Sequence, residues 1–427
     1  MAWIALILFL LIFICILSGV QVAFVLGGLS VIIGYFFIPD FFDLLPLRIM
    51  GTMQNVVLLA VPLFVFMGLM LEKSGLAESM LNTMSALFGR IRGGLAVSVI
   101  IVGALLAAST GIVGATVVTM GLISLPTMLK NNYQVELATG TIVSSGTLGQ
   151  IIPPSVVLVL LGSVLNVSVG DLFKAAFWPG IILVLSYIVY ILVVSYVKPE
   201  VAPLNDENTS VKINVGQVLK AFLLPLLLIL AVLGSIFTGI ASPTEAAAVG
   251  ALGAIILTLS QGRLNIKVLK EVMQGTTHLT SMVFLILIGA TTFALVFRGL
   301  GGDRFLIDLI ETSNLSGPMF LVLVMMVVFL LGFFIDFIEI IFIVVPVVAP
   351  IFIAYDMDLI WIGILLALNL QTSFLTPPFG FSLFYLKGVC PPEVKTAQIY
   401  RGVIPFLVIQ VIILSMAVIA PHWIGIL

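Results

Sequence analysis

The chain has 427 residues, of which 62% are hydrophobic and only 8% are charged, and its mean hydropathy is +1.34. So few charges cannot coat a soluble protein of this length, which indicates that lipid solvates most of its surface. The net charge of −2 excludes a basic surface for nucleic acid, and two distant cysteines, Cys15 and Cys390, imply no disulfide framework.

The apolar runs are much longer than the roughly 10 residues of a membrane barrel strand. They therefore predict α-helices, whose backbone groups are all hydrogen-bonded internally in hydrocarbon. The predicted fold class is an all-α polytopic membrane protein. Simple spans are expected, in chain order, near residues 3-17, 20-38, 53-71, 173-197, 217-238, 243-260, 275-297 and 400-420.

Two longer apolar stretches, 93-129 and 317-354, differ from simple spans. Small or polar residues interrupt each stretch near its middle, and each arm is a little short of the roughly 20 residues that cross a bilayer. We predict that both are re-entrant helical hairpins with their tips near mid-membrane. Two ordinary spans joined by a tight turn are the alternative.

Two further regions, 133-167 and 358-389, are each cut by consecutive prolines, Pro153-Pro154 and Pro377-Pro378. A proline pair removes two amide donors and forces the preceding residue out of α geometry. We therefore predict a broken helix in each region.

The spacing of the prolines predicts an internal repeat. The two Pro-Pro pairs lie 224 residues apart, and so do Pro126 and Pro350, at the ends of the two hairpins. The predicted repeats are 1-216, with hairpin 93-129 and broken helix 133-167, and 217-427, with hairpin 317-354 and broken helix 358-389.

Charge predicts that the second repeat is inverted. Basic residues dominate beside the first hairpin and acidic residues beside the second, so the two hairpins open to opposite sides under the positive-inside rule. With both termini on the outer side, thirteen of the 17 lysines and arginines fall on the cytoplasmic side. The exceptions are Arg48, Lys174, Arg298 and Arg304.

Small polar residues cluster at the predicted tips and breaks, where half-helix ends suit anions and sodium. For any one hydroxyl, a bond to the preceding helical turn or simple packing is the alternative. The candidate substrate-binding residues are Gly111, Thr147, Arg298, Asp336 and Gln371. The candidate sodium ligands are Ser109, Thr110, Ser145, Gly149, Asp336, Asn369, Thr372 and Thr376.

Four charged residues need individual interpretation. Asp336 lies in an apolar run, where a carboxylate is costly unless it meets a cation or hydrogen-bond donors. Glu339 is either a second acidic ligand or a water-facing tip residue. Glu245, after Ser242-Pro243-Thr244, is predicted to complete a capping box. Arg298 either reaches the membrane interface or holds a substrate carboxylate through two hydrogen bonds.

Four ordered motifs resemble the large membrane subunit of tripartite ATP-independent periplasmic (TRAP) transporters. They are Ser-Pro-Thr-Glu-Ala-Ala-Ala-Val-Gly at 242-250, Ser-Gly-Thr-Leu-Gly-Gln-Ile-Ile-Pro-Pro-Ser at 145-155, Gly-Phe-Phe-Ile-Asp at 332-336 and Asn-Leu-Gln-Thr-Ser-Phe-Leu-Thr-Pro-Pro-Phe-Gly at 369-380. The resemblance covers essentially the whole chain.

This resemblance implies a sodium-driven elevator transporter of the bacterial or archaeal inner membrane. In such a transporter a domain that contains both hairpins slides against a scaffold. A small membrane subunit enlarges the scaffold, and a soluble periplasmic protein delivers the substrate. The implied substrates are organic acids, such as dicarboxylates, sialic acid, oxo acids or sulfonates. Sodium is the coupling ion, and no tightly bound cofactor is implied.

Two alternatives differ from this function. One is an ion-coupled anion transporter, exchanger or channel of related architecture that needs no binding protein. The other is an intramembrane enzyme, but the chain has only two histidines and neither a His-Glu-x-x-His nor a Gly-x-Ser-x-Gly motif. A phosphate-binding Gly-x-x-x-x-Gly-Lys-Ser/Thr loop is also absent from the sequence, so the expectation is a transporter that uses no ATP.

Overall fold

The computed structural model describes residues 2–204, 222–312 and 315–426, except for six side chains. These side chains belong to Ala2, Phe41, Ser109, Leu309, Ile310 and Glu311. The regular structure within the described ranges is entirely helical. The predicted all-α fold class is therefore confirmed. The predicted repeat boundary at 216/217 lies outside the described residues.

The first half of the chain forms eleven described α-helices and two short 3₁₀ turns, Val56–Leu59 and Leu148–Gln150. In chain order the helices are α1 (Ala2–Leu17), α2 (Val22–Phe37), α3 (Pro39–Phe42), α4 (Leu45–Met53), α5 (Ala60–Lys73), α6 (Leu76–Phe88), α7 (Gly94–Thr110), α8 (Val113–Lys130), α9 (Val135–Thr147), α10 (Val156–Leu165) and α11 (Val169–Val197).

The second half forms nine α-helices among its described residues. The helices are α12 (Leu224–Phe237), α13 (Pro243–Ser260), α14 (Ile266–Gly299), α15 (Gly302–Thr312), α16 (Gly317–Leu331), α17 (Phe337–Ala354), α18 (Leu359–Leu375), α19 (Phe381–Val389) and α20 (Thr396–Ile419). A 3₁₀ turn, Pro421–Ile424, follows α20.

Seven helical segments in the described ranges are long and apolar enough to cross a membrane. They are Val56–Lys73, α8, α11, α13, α14, α17 and α20. Shorter apolar helices, including α1, α2, α7, α16 and α18, supplement them. This density of apolar helices defines a multi-pass membrane protein.

Helix α14 begins at Ile266, nine residues before the span predicted to start at 275. The side chain of Asn265 caps its first turn by accepting a hydrogen bond from the amide of Val268 at 2.8 Å. A 34-residue helix is about 50 Å long, so α14 extends beyond the roughly 30 Å hydrocarbon core. The predicted capping box at Glu245 is confirmed at the start of α13.

Both predicted helical hairpins are present. In the first, α7 and α8 are joined by only Gly111 and Ile112, with Gly111 in the left-handed region at φ +63°. In the second, α16 and α17 are joined by the longer segment 332–336. The re-entrant placement of these hairpins in a bilayer stays a prediction.

Both broken helices are also present. The first break separates α9 from α10 through the 3₁₀ turn and residues 151–155. The second separates α18 from α19 at residues 376–380. Each Pro-Pro pair lies within its break, where the prolines supply no amide for helical hydrogen bonds.

The 224-residue offset recurs in the helix boundaries. Helices α8 and α17 start and end 224 residues apart, and the starts of α9 and α18 are separated by the same number. Even the turn residues after α8 and α17 correspond, since Asn132 and Asp356 both have positive φ, 57° and 54°. The inverted relation between the halves stays a prediction.

The second segment of each broken helix packs against the hairpin of the other half. Helix α10 contacts α17, and α19 contacts α8. Two long helices flank this assembly, with α5 against α7 and α14 against α17, and they also pack on each other and on α13 and α2. The hairpins and breaks therefore form one interlocked body beside a frame of α2, α5, α13 and α14.

Candidate functional site

A cavity of about 460 Å³ lies where the hairpin tips meet the frame. The first tip contributes Ile112 and Val113, and the second contributes Asp336 and Phe337. Further lining residues come from both broken helices and both flanking frame helices: Val156, Phe374, Tyr385, Val61, Val65, Leu279, Met282 and Val283. The volume and mainly apolar walls are typical of small-molecule sites.

Three helices begin at this cavity. The first residues of α8, α10 and α17 are Val113, Val156 and Phe337, and all three line it. A helix N-terminus presents unpaired amides and a partial positive charge. The cavity therefore offers an anion several backbone donors without needing a cationic side chain.

The helix starts differ in how they are capped. Among the described side chains, none caps α8 or α10. Ile112 has no polar side chain, and Ser155, whose hydroxyl donates to the carbonyl of Gln150 at 3.0 Å, accepts no amide of α10. At α17, by contrast, Asp336 Oδ1 accepts from the amide of Phe337 at 2.8 Å. The amides at α8 and α10 are thus the ones left for a ligand.

Asp336 and Glu339 form a capping box. Glu339 Oε2 accepts from the amide of Asp336 at 3.3 Å, which completes the reciprocal arrangement at the start of α17. This geometry gives Glu339 a local structural role and holds the Asp336 carboxylate at the cavity wall.

The first tip is packed too closely for side chains at its glycines. A Cβ on Gly111 would lie 2.9 Å from the amide of Val156, so the tip touches the start of α10. A Cβ on Gly114 would lie 3.1 Å from the ring of Tyr385. These glycines bring the first hairpin against both broken helices.

The hydroxyls near the tips and breaks bond mainly to their own helices. Thr147 donates to the carbonyl of Ser144 at 3.0 Å and Ser145 to that of Ile142 at 2.8 Å. The second break matches this pattern, with Thr372 donating to Leu368 at 2.7 Å and Thr376 to Thr372 at 2.8 Å. Because each proton is directed to a carbonyl, the oxygen lone pairs stay available to a cation.

Thr110 stabilises the first tip. Its hydroxyl bonds to the carbonyl of Leu106 at 3.0 Å and lies 2.9 Å from the hydroxyl of Thr116. Gly149 lies against the first arm, where a Cβ would meet the backbone oxygen of Ala107. The Ser109 side chain, also predicted as a sodium ligand, lies outside the described residues.

Two buried amide side chains at the breaks behave differently. Asn369 donates to the carbonyl of Met325 at 2.7 Å and so ties α18 to α16. Gln371 is fully buried, and both of its amide atoms are without a hydrogen-bond partner among the described residues. A buried amide without partners is costly, which favours a ligand or water beside Gln371.

Arg298 is not part of the tip cavity. It lines a separate cavity of about 550 Å³, together with Arg48, Asn55 and Ser163. Its Nε lies 3.2 Å from Asp303 Oδ2, and its side chain is 53% exposed. The structure therefore separates Arg298 from Asp336, with which it was grouped as a substrate-binding residue.

Sequence reasoning missed two residues beside the predicted set. Tyr385 lines the tip cavity, but nothing in the sequence distinguishes it from neighbouring aromatics such as Phe384. Gln150, just before the first break, is fully buried with both amide atoms unpartnered in the described part of the chain. The sequence does mark this residue, because Gln150 is a single amide side chain in an apolar stretch, directly before Ile-Ile-Pro-Pro.

The architecture is that of a membrane transport protein. The chain is multi-pass and helical, with two interlocked hairpins, two broken helices and a cavity at their junction. The family model of the tripartite ATP-independent periplasmic transporter, DctM component, matches residues 9–423. The chain belongs to this family, whose members are permease subunits and not enzymes.

Relatives in the family differ in the substrates for which they are named. The chain is 32% identical to the C4-dicarboxylate TRAP transporter large permease protein DctM of Pseudomonas aeruginosa, over 93% of each chain. It is 30% identical to the sialic acid protein SiaM of Vibrio cholerae, over 88% of this chain and 87% of that one. The ectoine protein TeaC of Halomonas elongata is 28% identical, with the same coverage.

Solved structures of two transporters share the fold. The YdaH transporter of Alcanivorax borkumensis gives a TM-score of 0.62 at 15% identity, over 90% of this chain and 88% of that one. MtrF of Neisseria gonorrhoeae gives 0.59 at 12% identity, over 89% and 83%. At these identities the likeness extends to architecture alone.

Proposed function

We propose that this chain is the permease subunit of a sodium-coupled secondary transporter that imports a small organic acid. The observation that carries the proposal is the tip cavity, which both hairpin tips, both broken helices and frame helices α5 and α14 line together. Such a junction is where discontinuous-helix transporters bind substrate and coupling ions.

The anion docks at the uncapped starts of α8 and α10. Their free amides donate to a carboxylate, and the positive ends of both helices stabilise its charge. Asp336 would repel that anion, so we place the carboxylate towards Val113 and Val156. A cation beside Asp336 completes the charge balance.

The cavity walls limit the class of substrate. Among the described residues that line the cavity there is no lysine or arginine, and Asp336 and Tyr385 are the polar side chains capable of strong hydrogen bonds. These walls favour an acid with one carboxylate and an apolar body. The names of two relatives, for C4-dicarboxylates and for sialic acid, support an acid as the substrate.

Sodium binds at the tips and breaks, where helix C-terminal carbonyls and hydroxyl lone pairs suit a hard cation. The proposed ligands come from Thr110, Ser145, Gly149, Asn369, Thr372 and Thr376, with Asp336 at the second tip. Each sodium that enters contributes about 2.3 kcal/mol per 100 mV of membrane potential. Two sodium ions more than offset one monoanion that moves against the potential.

Movement follows an elevator scheme. The body formed by both hairpins and both broken helices slides along α5 and α14 and carries the cavity between the two sides. Support comes from the packing, in which each hairpin contacts the broken helix of the other half and so moves with it. Sodium organises the tips before the acid docks.

The other components follow from the family. Its description as a tripartite periplasmic transporter supports two partners, which we propose are a small membrane subunit and a soluble periplasmic binding protein that delivers the acid. We place the chain in the inner membrane with both termini periplasmic. The apolar surface contacts the lipid bilayer.

Reconstituted uptake tests this proposal. The chain, its small subunit and its binding protein are placed in proteoliposomes and supplied with a panel of small acids in sodium or potassium. We expect uptake of at least one acid that needs both sodium and the binding protein. Equal uptake in potassium would refute the coupling, and equal uptake without the binding protein would refute the tripartite assembly.

A further inference from the structure

A wholly apolar cavity lies away from the tip site, between helix α1 and the second hairpin. It measures about 540 Å³, and every side chain that lines it is Leu, Ile, Val or Phe. Helix α1 contributes Leu6, Phe9 and Phe13, and the other walls come from α14, α15, α16 and α17. The cavity lies at a junction between the first helix and the hairpin.

This space is open on one side, and without an occupant its lining side chains would lose van der Waals contacts. At about 30 Å³ per molecule, the cavity has the volume of roughly 18 waters. Water is nevertheless excluded by the walls that the structure describes, because these offer no polar partner to bind it.

The same walls exclude the transported acid. An anion needs donors or a compensating cation, and the lining supplies neither. A membrane helix is excluded by its size, since it is about 10–12 Å wide with side chains and only a few residues of one would fit. A single hydrocarbon chain is apolar, narrow and flexible enough to fill the space.

The length of the cavity matches one leaflet of a bilayer. Along α16 its walls extend from Phe320 to Leu331, which is about 16 Å at 1.5 Å per residue. Half of a 30 Å hydrocarbon core is about 15 Å. In the predicted orientation, α16 runs from the outer surface towards mid-membrane, so the cavity spans the outer leaflet.

The cavity is also open to the lipid-facing surface. Two of its lining residues on α16, Leu323 and Val327, are 47% and 42% exposed. Beside them, Val322 and Met326 on the same helix are 55% and 57% exposed and face outward. A lipid can therefore enter sideways, without any opening of the helix bundle.

We propose that this cavity binds one acyl chain of a phospholipid from the outer leaflet. The chain lies between α1 and the hairpin of α16 and α17 and completes their packing. The assignment to the outer leaflet rests on the proposed orientation of the chain. The site itself depends on the membrane location of the protein and on this cavity, and not on which acid the protein transports.

Native mass spectrometry of the full-length purified chain tests the proposal. The double variant Val327→Phe/Val348→Phe fills the cavity from two walls, whereas the matched control Val322→Phe/Met326→Phe adds aromatic rings on the outward face of α16. After mild delipidation we expect one retained phospholipid on the unmodified chain and on the control. The filled variant is expected to retain at least tenfold less, and equal retention in both double variants would overturn the proposal.

A second measurement needs no variant. The unmodified chain in nanodiscs of phospholipid brominated on its acyl chains is imaged by electron cryomicroscopy. We expect bromine density between Phe9 and Val327. Protein density from a partner subunit in that position, or a cavity without bromine, would overturn the proposal even if the filled variant failed to fold.

Discussion

Replacing Asp336 separates its charge from its capping role. Asn caps a helix as well as Asp does, so Asp336→Asn keeps the 2.8 Å bond from the amide of Phe337 and removes only the negative charge. Asp336→Ala removes both, and its expected cost to the free energy of unfolding is about 0.5–2 kcal/mol. Losing a charged contact to sodium is expected to cost about 1.5–3 kcal/mol, which weakens sodium affinity roughly 10- to 150-fold.

The assay combines sodium titrations of uptake in proteoliposomes with thermal unfolding of the detergent-purified chain. We expect Asp336→Asn to unfold near the temperature of the unmodified chain yet to lose sodium-dependent uptake at ordinary sodium concentrations. The matched control is Asp358→Asn. Asp358 caps α18 by accepting from the amides of Ile360 at 2.7 Å and Trp361 at 2.9 Å, and it lies away from the tip cavity. If Asp336→Asn took up substrate with unchanged sodium dependence, the cation role of Asp336 would be refuted.

Three further substitutions test other parts of the site. Gly149→Ala places a methyl group against the backbone oxygen of Ala107, so we expect about 1–3 kcal/mol of destabilisation and lower uptake, measured by thermal unfolding and transport. Asn369→Ala removes the hydrogen bond to the carbonyl of Met325 and should cost about 0.5–1.5 kcal/mol in unfolding, with the hairpin of α16 and α17 more protease-sensitive. Arg298→Ala should change stability by less than about 1 kcal/mol, since the side chain is half exposed, but should raise the KM of uptake roughly tenfold if the guanidinium holds the arriving acid.

Two of these substitutions have an internal comparison. Gly388→Ala adds a methyl group where no atom lies within 4 Å, so it should leave uptake unchanged. Asp303→Asn weakens the ion pair of Arg298 but keeps the guanidinium, so an equal rise in KM would assign the effect to the ion pair and not to substrate contact. Wild-type stability of Gly149→Ala would contradict the close approach of the first break to α7.

Most of the architecture could be predicted from the sequence, because the length of an apolar run and the position of a proline pair determine structure locally. Long apolar runs require helices in lipid, and the pairs Pro153-Pro154 and Pro377-Pro378 interrupt the helical hydrogen bonds where they stand. The hairpins were visible because polar or small residues interrupt runs too short to cross twice. The three extra residues in the second tip, 332–336 against 111–112, carry no comparable signal and appear only in the fold.

The site was less predictable, because it depends on which helix faces meet in space. Val61 and Met282 line the tip cavity from the frame, yet in sequence they resemble any lipid-facing residue. Arg298 was grouped with Asp336 by chemistry, and only the fold shows that it lines a different cavity. The bonds of Thr147 and Thr372 to preceding carbonyls agree with the local alternative, and a cation at their lone pairs stays a prediction.

The position of the bound acid tests the central claim most directly. Electron cryomicroscopy of the chain with a transported acid from the uptake screen, in sodium, would locate that acid. We predict density for its carboxylate at the starts of α8 and α10, beside Val113 and Val156. Density in the cavity of Arg48 and Arg298, with the tip cavity empty, would contradict the account.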